Sequence, residues 1–332
     1  MDESNLGLLF IGDVFFTEDD SVLFFKKVKD ELKDYVVLAN LEGSIDFSMG
    51  SYTKKAVRLA LPMFKKEDIP ENLIFSMVNN HVTDFGEANF KKNMDYFSDR
   101  AIVSTRSNVS NYICGNKIIL MADKKEQCVL NGTDFISFSN KHVDIIGKEF
   151  SSSIVVIHGG IEYRRYPTHY QRTLARKIIE YGAKMVIFHH SHLVGHYEYW
   201  NGNLIHYGLG NAFFSNTLDL HSLKNSRSHG IVYDGETKVL NLNQLDIVDN
   251  NVSNNNSDVD QLSNSEYVKF YKKLYRLDGS FRPRQLAIND FWTNVQFFVW
   301  SKIANFLVRW QLSKKIKIAL NLFLGEKIKG HK

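Results

Sequence analysis

The chain is poor in cysteine, in long apolar runs and in basic charge over most of its length, and each shortage excludes a class of protein. Cys114 and Cys128 are its only cysteines in 332 residues, too few for a disulfide framework, so a reducing compartment is expected. In the tail, the longest charge-free apolar stretch, residues 291–301, has 11 residues; crossing a bilayer takes about 20, which argues against a spanning helix there. The first twenty residues open with Asp2 and Glu3 and hold a short apolar run ending at Asp13, with no basic region ahead of it. No cleavable signal is expected, and residence in the cytoplasm follows. Hydrophobic residues at 44% and charged residues at 23% are ordinary globular usage, which excludes a disordered chain, a collagen-like repeat and a multi-span membrane protein.

The net charge of +4 is unevenly divided. Residues 266–332 carry 14 Lys and Arg against 4 Asp and Glu, a net +10, which leaves −6 on residues 1–265. An acidic body does not suit a nucleic-acid enzyme, whose basic surface surrounds its working site, so no nucleic-acid partner is expected.

Short apolar runs rich in Val, Ile, Leu and Phe alternate with amphipathic stretches, the pattern of βα units around a buried sheet and hence of an α/β fold. Strands are expected at 6–11, 35–39, 73–78, 153–157, 184–188 and 203–206, with helices at 21–33, 84–97 and 169–181. Residues 101–150 show no clear order. The stretch 249–265, DNNVSNNNSDVDQLSNS, is too poor in apolar residues to offset the entropy of ordering. It is expected to link a domain at 1–248 to a basic, Trp-rich helical tail at 266–332.

The ends of the apolar runs carry the chemistry. Five of them terminate in Gly12-Asp13, in Asn40-Leu41-Glu42-Gly43, in Asn79-Asn80-His81, in His158-Gly159-Gly160 and in His189-His190-Ser191-His192. In α/β sheets, binding sites gather outside the carboxyl ends of strands, so these segments are expected to converge. Asp13, Glu42, Asn80, His158, His190 and His192 make a mixed O/N donor set suited to Zn, Mn, Fe or Co rather than to Ca. Six donors suit two divalent metals, which clamp the attacking and leaving oxygens of a displacement at phosphorus. His81 is placed to protonate a leaving oxygen. Neighbouring residues on a strand point apart, so His189 is assigned to packing or to the surroundings of the metals.

These residues resemble a known family. Over roughly residues 6–215 the chain is similar to the CapA-type poly-γ-glutamate capsule biosynthesis proteins, a branch of the calcineurin-like metallophosphoesterase superfamily. The resemblance rests on Gly12-Asp13-Val14, on Asn40-Leu41-Glu42-Gly43, on the string from Asn79 to Gly86, and most strongly on the segment from His158 to Phe214. It implies a calcineurin-like sandwich of strands flanked by helices. It further implies that Asp13 and His192 bind one metal, that Asn80, His158 and His190 bind the other, that Glu42 bridges, and that His81 is the catalytic imidazole. Phe15 stands where the family pattern has a further His, so the first metal has fewer protein ligands. Gly160, Phe188 and Ser191 also depart from the pattern and alter the pocket wall.

Other features have two readings. Asn40 either ligates or hydrogen-bonds within the site. Glu162, Tyr163 and Arg164 either contact an anionic phosphorylated or polymer substrate or form a solvated loop. Gly208-Leu209-Gly210-Asn211 lacks the third glycine of a dinucleotide fingerprint and is expected to be a turn closing the sheet near the metals. In the tail, Trp292, Val295, Val299, Ile303, Phe306 and Trp310 share one helical face. That stripe either packs on the body or lies against an anionic membrane surface or a synthase complex, the membrane case placing the protein on the inner face. The expected role is a metal-dependent phosphoesterase for a bacterial surface polymer, or a non-catalytic binding protein that keeps the fold.

Overall fold

A computed structural model describes residues 6–16, 18–47, 60–61, 65–123, 134–214, 227–243 and 245–249. The linker beyond Asp249 and the basic tail, with the membrane or synthase contact expected of it, lie outside the described residues.

In chain order the elements are β1 (Gly7–Phe15), α1 (Glu18–Glu31), β2 (Tyr35–Leu41), β3 (Ser44–Ile45), β4 (Ala60–Leu61), β5 (Leu73–Ser76), α2 (Glu87–Phe97), β6 (Ala101–Ile102), β7 (Asn111–Ile113) and β8 (Asn116–Ala122). There follow α3 (Asn140–Ile145), β9 (Ser153–His158), α4 (His169–Glu180), β10 (Met185–His189), β11 (Tyr197–Trp200), β12 (Asn203–His206), β13 (Asn211–Phe214), β14 (Arg227–Tyr233), β15 (Thr237–Asn243) and β16 (Asp246–Asp249). The strands and helices expected between residues 6 and 206 are all present, and the α/β class holds. The strands divide between two sheets, however, rather than filling one. The first runs β16-β15-β14-β1-β2-β5-β6, with β13 also on β1; the second runs β11-β12-β10-β9-β8-β7; β3 and β4 form a separate pair.

Side-chain alternation explains how both sheets share a core. Ile118, Leu120, Ile154, Val156, Met185, Ile187 and Leu204 of the second sheet belong to the same buried cluster as Leu8, Phe10, Val37 and Phe75 of the first. Their alternating neighbours Val155, Ile157, Val186 and Phe188 are buried as well, on the opposite face. Strands buried on both faces must read as unbroken apolar runs, as these do. Phe24 and Val28 of α1 and Leu32 just past its end recur every fourth residue and are fully buried; Phe24 lies 5.0 Å from Phe16 and 5.2 Å from Phe213 between ring centroids.

Three local devices aim the strand ends. The register of β1 slips between Ile11 and Asp13, a bulge at Gly12 where a Cβ would stand 2.0 Å from the Gly210 carbonyl oxygen. Only glycine permits that approach, and it lets the Asp13 N–H donate to Gly210 O at 2.9 Å. At α4, Thr168 and Gln171 form a capping box, Oγ1 accepting from Gln171 N at 3.0 Å and Oε1 accepting from Thr168 N at 2.9 Å. The Gln171 amide also reaches the carbonyl of Gly159, one residue beyond His158. Finally, Asn89 and Asn93 of α2 pair the backbone of β3 as a strand would. Asn93 accepts from Ile45 N and donates to Ile45 O, while Asn89 donates to Ile45 O and accepts from Phe47 N. This holds the segment just beyond Glu42.

Candidate metal centre

Carboxyl ends from both sheets meet. Asp13 sits on β1, Glu42 just after β2, Asn80 and His81 after β5, His158 at the end of β9, and His190 and His192 after β10. Asp13, Glu42, His158 and His190 are each at most 2% exposed. Two groups of donor atoms, each within 4.8 Å of one another, share Glu42: one is Glu42, His158 and His190, the other Asp13, Glu42 and His192. This is the grouping the family resemblance implies, with Asn80 adjoining, since its Oδ1 lies 2.8 Å from His158 Nε2. His158 Nε2 is in turn 3.1 Å from His190 Nδ1 and 4.0 Å from Glu42 Oε1, and His192 Nε2 is 3.5 Å from Glu42 Oε1. Neighbouring ligands around an ion with bonds of about 2.1 Å stand roughly 3 Å apart, so these spacings fit a common ion.

The electrostatics point the same way. Both carboxylate oxygens of Glu42 are buried without a hydrogen-bond donor, and among the described residues no Lys or Arg pairs with Glu42 or Asp13. Burial, then the charge of Asp13, push the Glu42 carboxyl well above its ordinary value. Burial pushes Asp13 the same way, but contact with His189 and the nearby imidazoles of His158 and His192 outweigh it and hold the carboxyl well below the usual range. Burial drives His158 well below the ordinary histidine value and His190 down to about 3, so both offer neutral nitrogen lone pairs. Two buried carboxylates facing neutral imidazoles form a site that lacks only positive charge.

His81 behaves oppositely. Burial pulls it down, but the hydrogen bond to Asp84 and the charge of Glu42 more than offset that, leaving it above its ordinary value. Its Nδ1 meets Asp84 Oδ2 at 2.9 Å; its Nε2 lies 3.2 Å from Asn80 Nδ2 and 4.0 Å from Glu42 Oε1.

Asn40 takes the hydrogen-bonding alternative. Its Nδ2 lies 2.8 Å from Asp13 Oδ1 and 3.2 Å from His158 Nδ1, bracing one member of each donor group. Asn79 braces Asn40 in turn at 3.2 Å and donates to Leu41 O. His189 Nδ1 stands 3.3 Å from Asp13 Oδ1, consistent with a supporting position. Sequence reasoning missed Asp84, and missed Asp123, buried after β8, whose N–H donates to His158 O. It placed the turn at Asn211 near the metals without seeing that Asn211 Oδ1 meets His192 Nδ1 at 2.9 Å. His190, at φ +88°, and His192, at φ +55°, adopt left-handed backbone that costs about 1–3 kcal/mol each in non-glycine residues and concentrates at functional sites.

Residues 134–216 match the family model described as bacterial capsule synthesis protein PGA_cap. Over that stretch the chain is similar to CapA-type proteins. It is 39% identical over 79 residues to the PGA biosynthesis protein CapA of Bacillus subtilis (strain 168), covering 24% of this chain and 19% of that protein. It is 22% identical over 163 residues to the capsule biosynthesis protein CapA of Bacillus anthracis, covering 42% and 40%. The chain thus spans less than half the length of either relative. The CapA-type stretch holds His158, His190, His192 and Asn211, while Asp13, Glu42, Asn80 and His81 come from outside it. No helix among the described residues is long and apolar enough to cross a membrane.

Proposed function

We propose that the chain is a metal-dependent phosphoesterase with a calcineurin-like sandwich, acting in synthesis or processing of a bacterial capsule or surface polymer, on an anionic phosphorylated or polymer intermediate. The observation that carries this reading is the Glu42 carboxylate, buried without a donor between two groups of ligand-type atoms. Asp13, Glu42 and His192 would hold one divalent ion of the Mn, Fe, Zn or Co kind; Glu42, Asn80, His158 and His190 would hold the other. Such a pair, when bound, supplies Lewis acidity and a water acidified toward neutral pH.

The chain's own residues do the remaining work. Asn40 fixes the Asp13 carboxylate, with His189 beside it, and Asn211 fixes the ring of His192. His81, its Nδ1 held by Asp84, is the group that delivers a proton to the leaving oxygen. The basic tail is proposed to meet an anionic membrane surface or a synthase complex.

A second reading, a non-catalytic polymer- or synthase-binding protein, is favoured by Phe15. Two residues beyond Asp13, it contributes a buried ring packed 5.5 Å from Phe214 and no ligand. Elemental analysis of the full chain purified without chelator separates the two. The phosphoesterase should hold two ions, melt lower in chelator and recover on re-addition. It should hydrolyse an aryl phosphate, and His81→Ala should cut that rate about 10²–10⁴-fold while keeping the metal. One ion or none, with no turnover, supports the binding protein; an unchanged melting curve in chelator overturns the metal centre.

A further inference from the structure

The loop joining β9 to α4 brings residues to the metal centre that the hydrolysis scheme leaves unused. Tyr163 donates its backbone N–H at 2.8 Å to the carbonyl of Ser191, the residue between His190 and His192. Its ring lies 5.6 Å from that of His192, tilted by 31°. Its φ of +59° is left-handed, a strained choice for a bulky residue, which persists only where the surroundings dictate it. Glu162, one residue earlier and half-buried, is thereby set beside the cluster. Its charge is felt at both the Glu42 carboxyl and the Tyr163 phenol, each of which it helps to raise.

No ion pair or hydrogen bond from the described residues engages Glu162. Of the neighbouring cations, Arg165 is engaged elsewhere, its Nε donating to Val194 O at 2.9 Å. An ionised carboxylate in that position repels a phosphoryl group or any further anion. It attracts hydrogen-bond donors, and the adjoining Tyr163 ring adds a flat apolar face. Resting on the phosphoesterase reading, we propose that Glu162 and Tyr163 form the leaving-group subsite, which accepts phosphate esters bearing hydroxyl or ammonium groups and disfavours those bearing carboxylates. A polyol or amine, rather than a carboxylate-rich chain, is then the group released.

Titration calorimetry on the full chain supplied with Mn²⁺ tests this with three probes: inorganic phosphate, O-phosphoethanolamine and phosphoglycolate. Phosphoethanolamine should bind roughly fivefold or more tightly than phosphoglycolate, the scale of a partly exposed charge contact. Glu162→Gln should bring that ratio close to one without weakening inorganic phosphate. Tyr163→Ala should weaken both esters relative to phosphate, whereas Tyr163→Phe should keep the ring and the ratio. A ratio that Glu162→Gln leaves unchanged, in a variant that still binds phosphate, overturns the subsite alone. Failure of the unsubstituted chain to bind phosphate at all overturns the phosphoesterase reading, and the subsite with it.

Discussion

His81 divides its two ring nitrogens between two tasks, and the division rests on one neighbour. With Asp84 2.9 Å from Nδ1, the tautomer and ring plane are set, and Nε2 is left toward Glu42 and Asn80. Asp84→Asn should therefore lower aryl phosphate turnover by on the order of 10²-fold, near the lower end of what a positioned acid contributes, with bound metal unchanged. Loss of metal along with turnover would show instead that Asp84 supports the ligands. The metal-facing donors are legible in the sequence because each stands at the end of an apolar run, and strand ends converge whatever the loops do. Asp84 and Asn211 are not, since a single carboxylate or amide in a turn has ordinary turn chemistry as its default explanation. His190 and His192 stand out in the sequence as a pair, but their left-handed backbone is a demand of the assembled site that no local pattern announces.

At the scale of elements, two buried polar devices tie the site to its scaffold. Asn93 is fully buried and serves both backbone groups of Ile45, three residues beyond Glu42. Asn93→Ala strands the Ile45 N–H, while Asn89 still donates to Ile45 O, so urea unfolding should show a loss of about 1–3 kcal/mol together with weaker metal retention. Glu198 on β11 does the comparable work for α4, accepting from Arg172 and Arg176 at 2.6 Å each and from Tyr207 Oη at 2.8 Å. Burial pushes its carboxyl up, but the two guanidinium groups win and hold it below its ordinary value. A depressed carboxyl contributes stability that is present above the unfolded value of about 4.3 and fades as pH falls through the folded one. The stability gap between the native chain and Glu198→Gln should thus be widest at neutral pH and narrow below about pH 4; a gap independent of pH would mean the pair contributes through packing alone. Neither device is visible in the sequence, because an asparagine on a helix reads as surface and an ion pair across elements has no sequence period. β8 escapes for a different reason: its apolar run NKIILMA lies in a region where short strands and turns interrupt any repeating βα rhythm. α2 begins at Glu87, three residues later than its periodicity suggests, because Asp84 to Gly86 are spent on a turn, with Gly86 at φ +87°, that presents Asp84 to His81.

Over the whole molecule, charge is divided between two regions of the sequence. The described residues belong to a body of net −6, while residues 266–332 carry +10 and three of the four tryptophans. That separation predicts peripheral binding to anionic vesicles, since each basic residue near such a surface contributes about 1 kcal/mol and the attraction is screened over roughly 8 Å at physiological ionic strength. A chain truncated after Ser265 should stay folded, retain its metal and its chelator-sensitive melting, and no longer sediment with anionic vesicles, whereas the full chain should sediment and be released by salt. Each failure has its own meaning. Insolubility on truncation would make the Trp stripe part of the body's packing, because the apolar face it covered would then be exposed to water. A full chain that ignores anionic vesicles even at low salt would remove the membrane as the tail's partner and leave a protein surface of acidic character, for which the same +10 is the recognition signal.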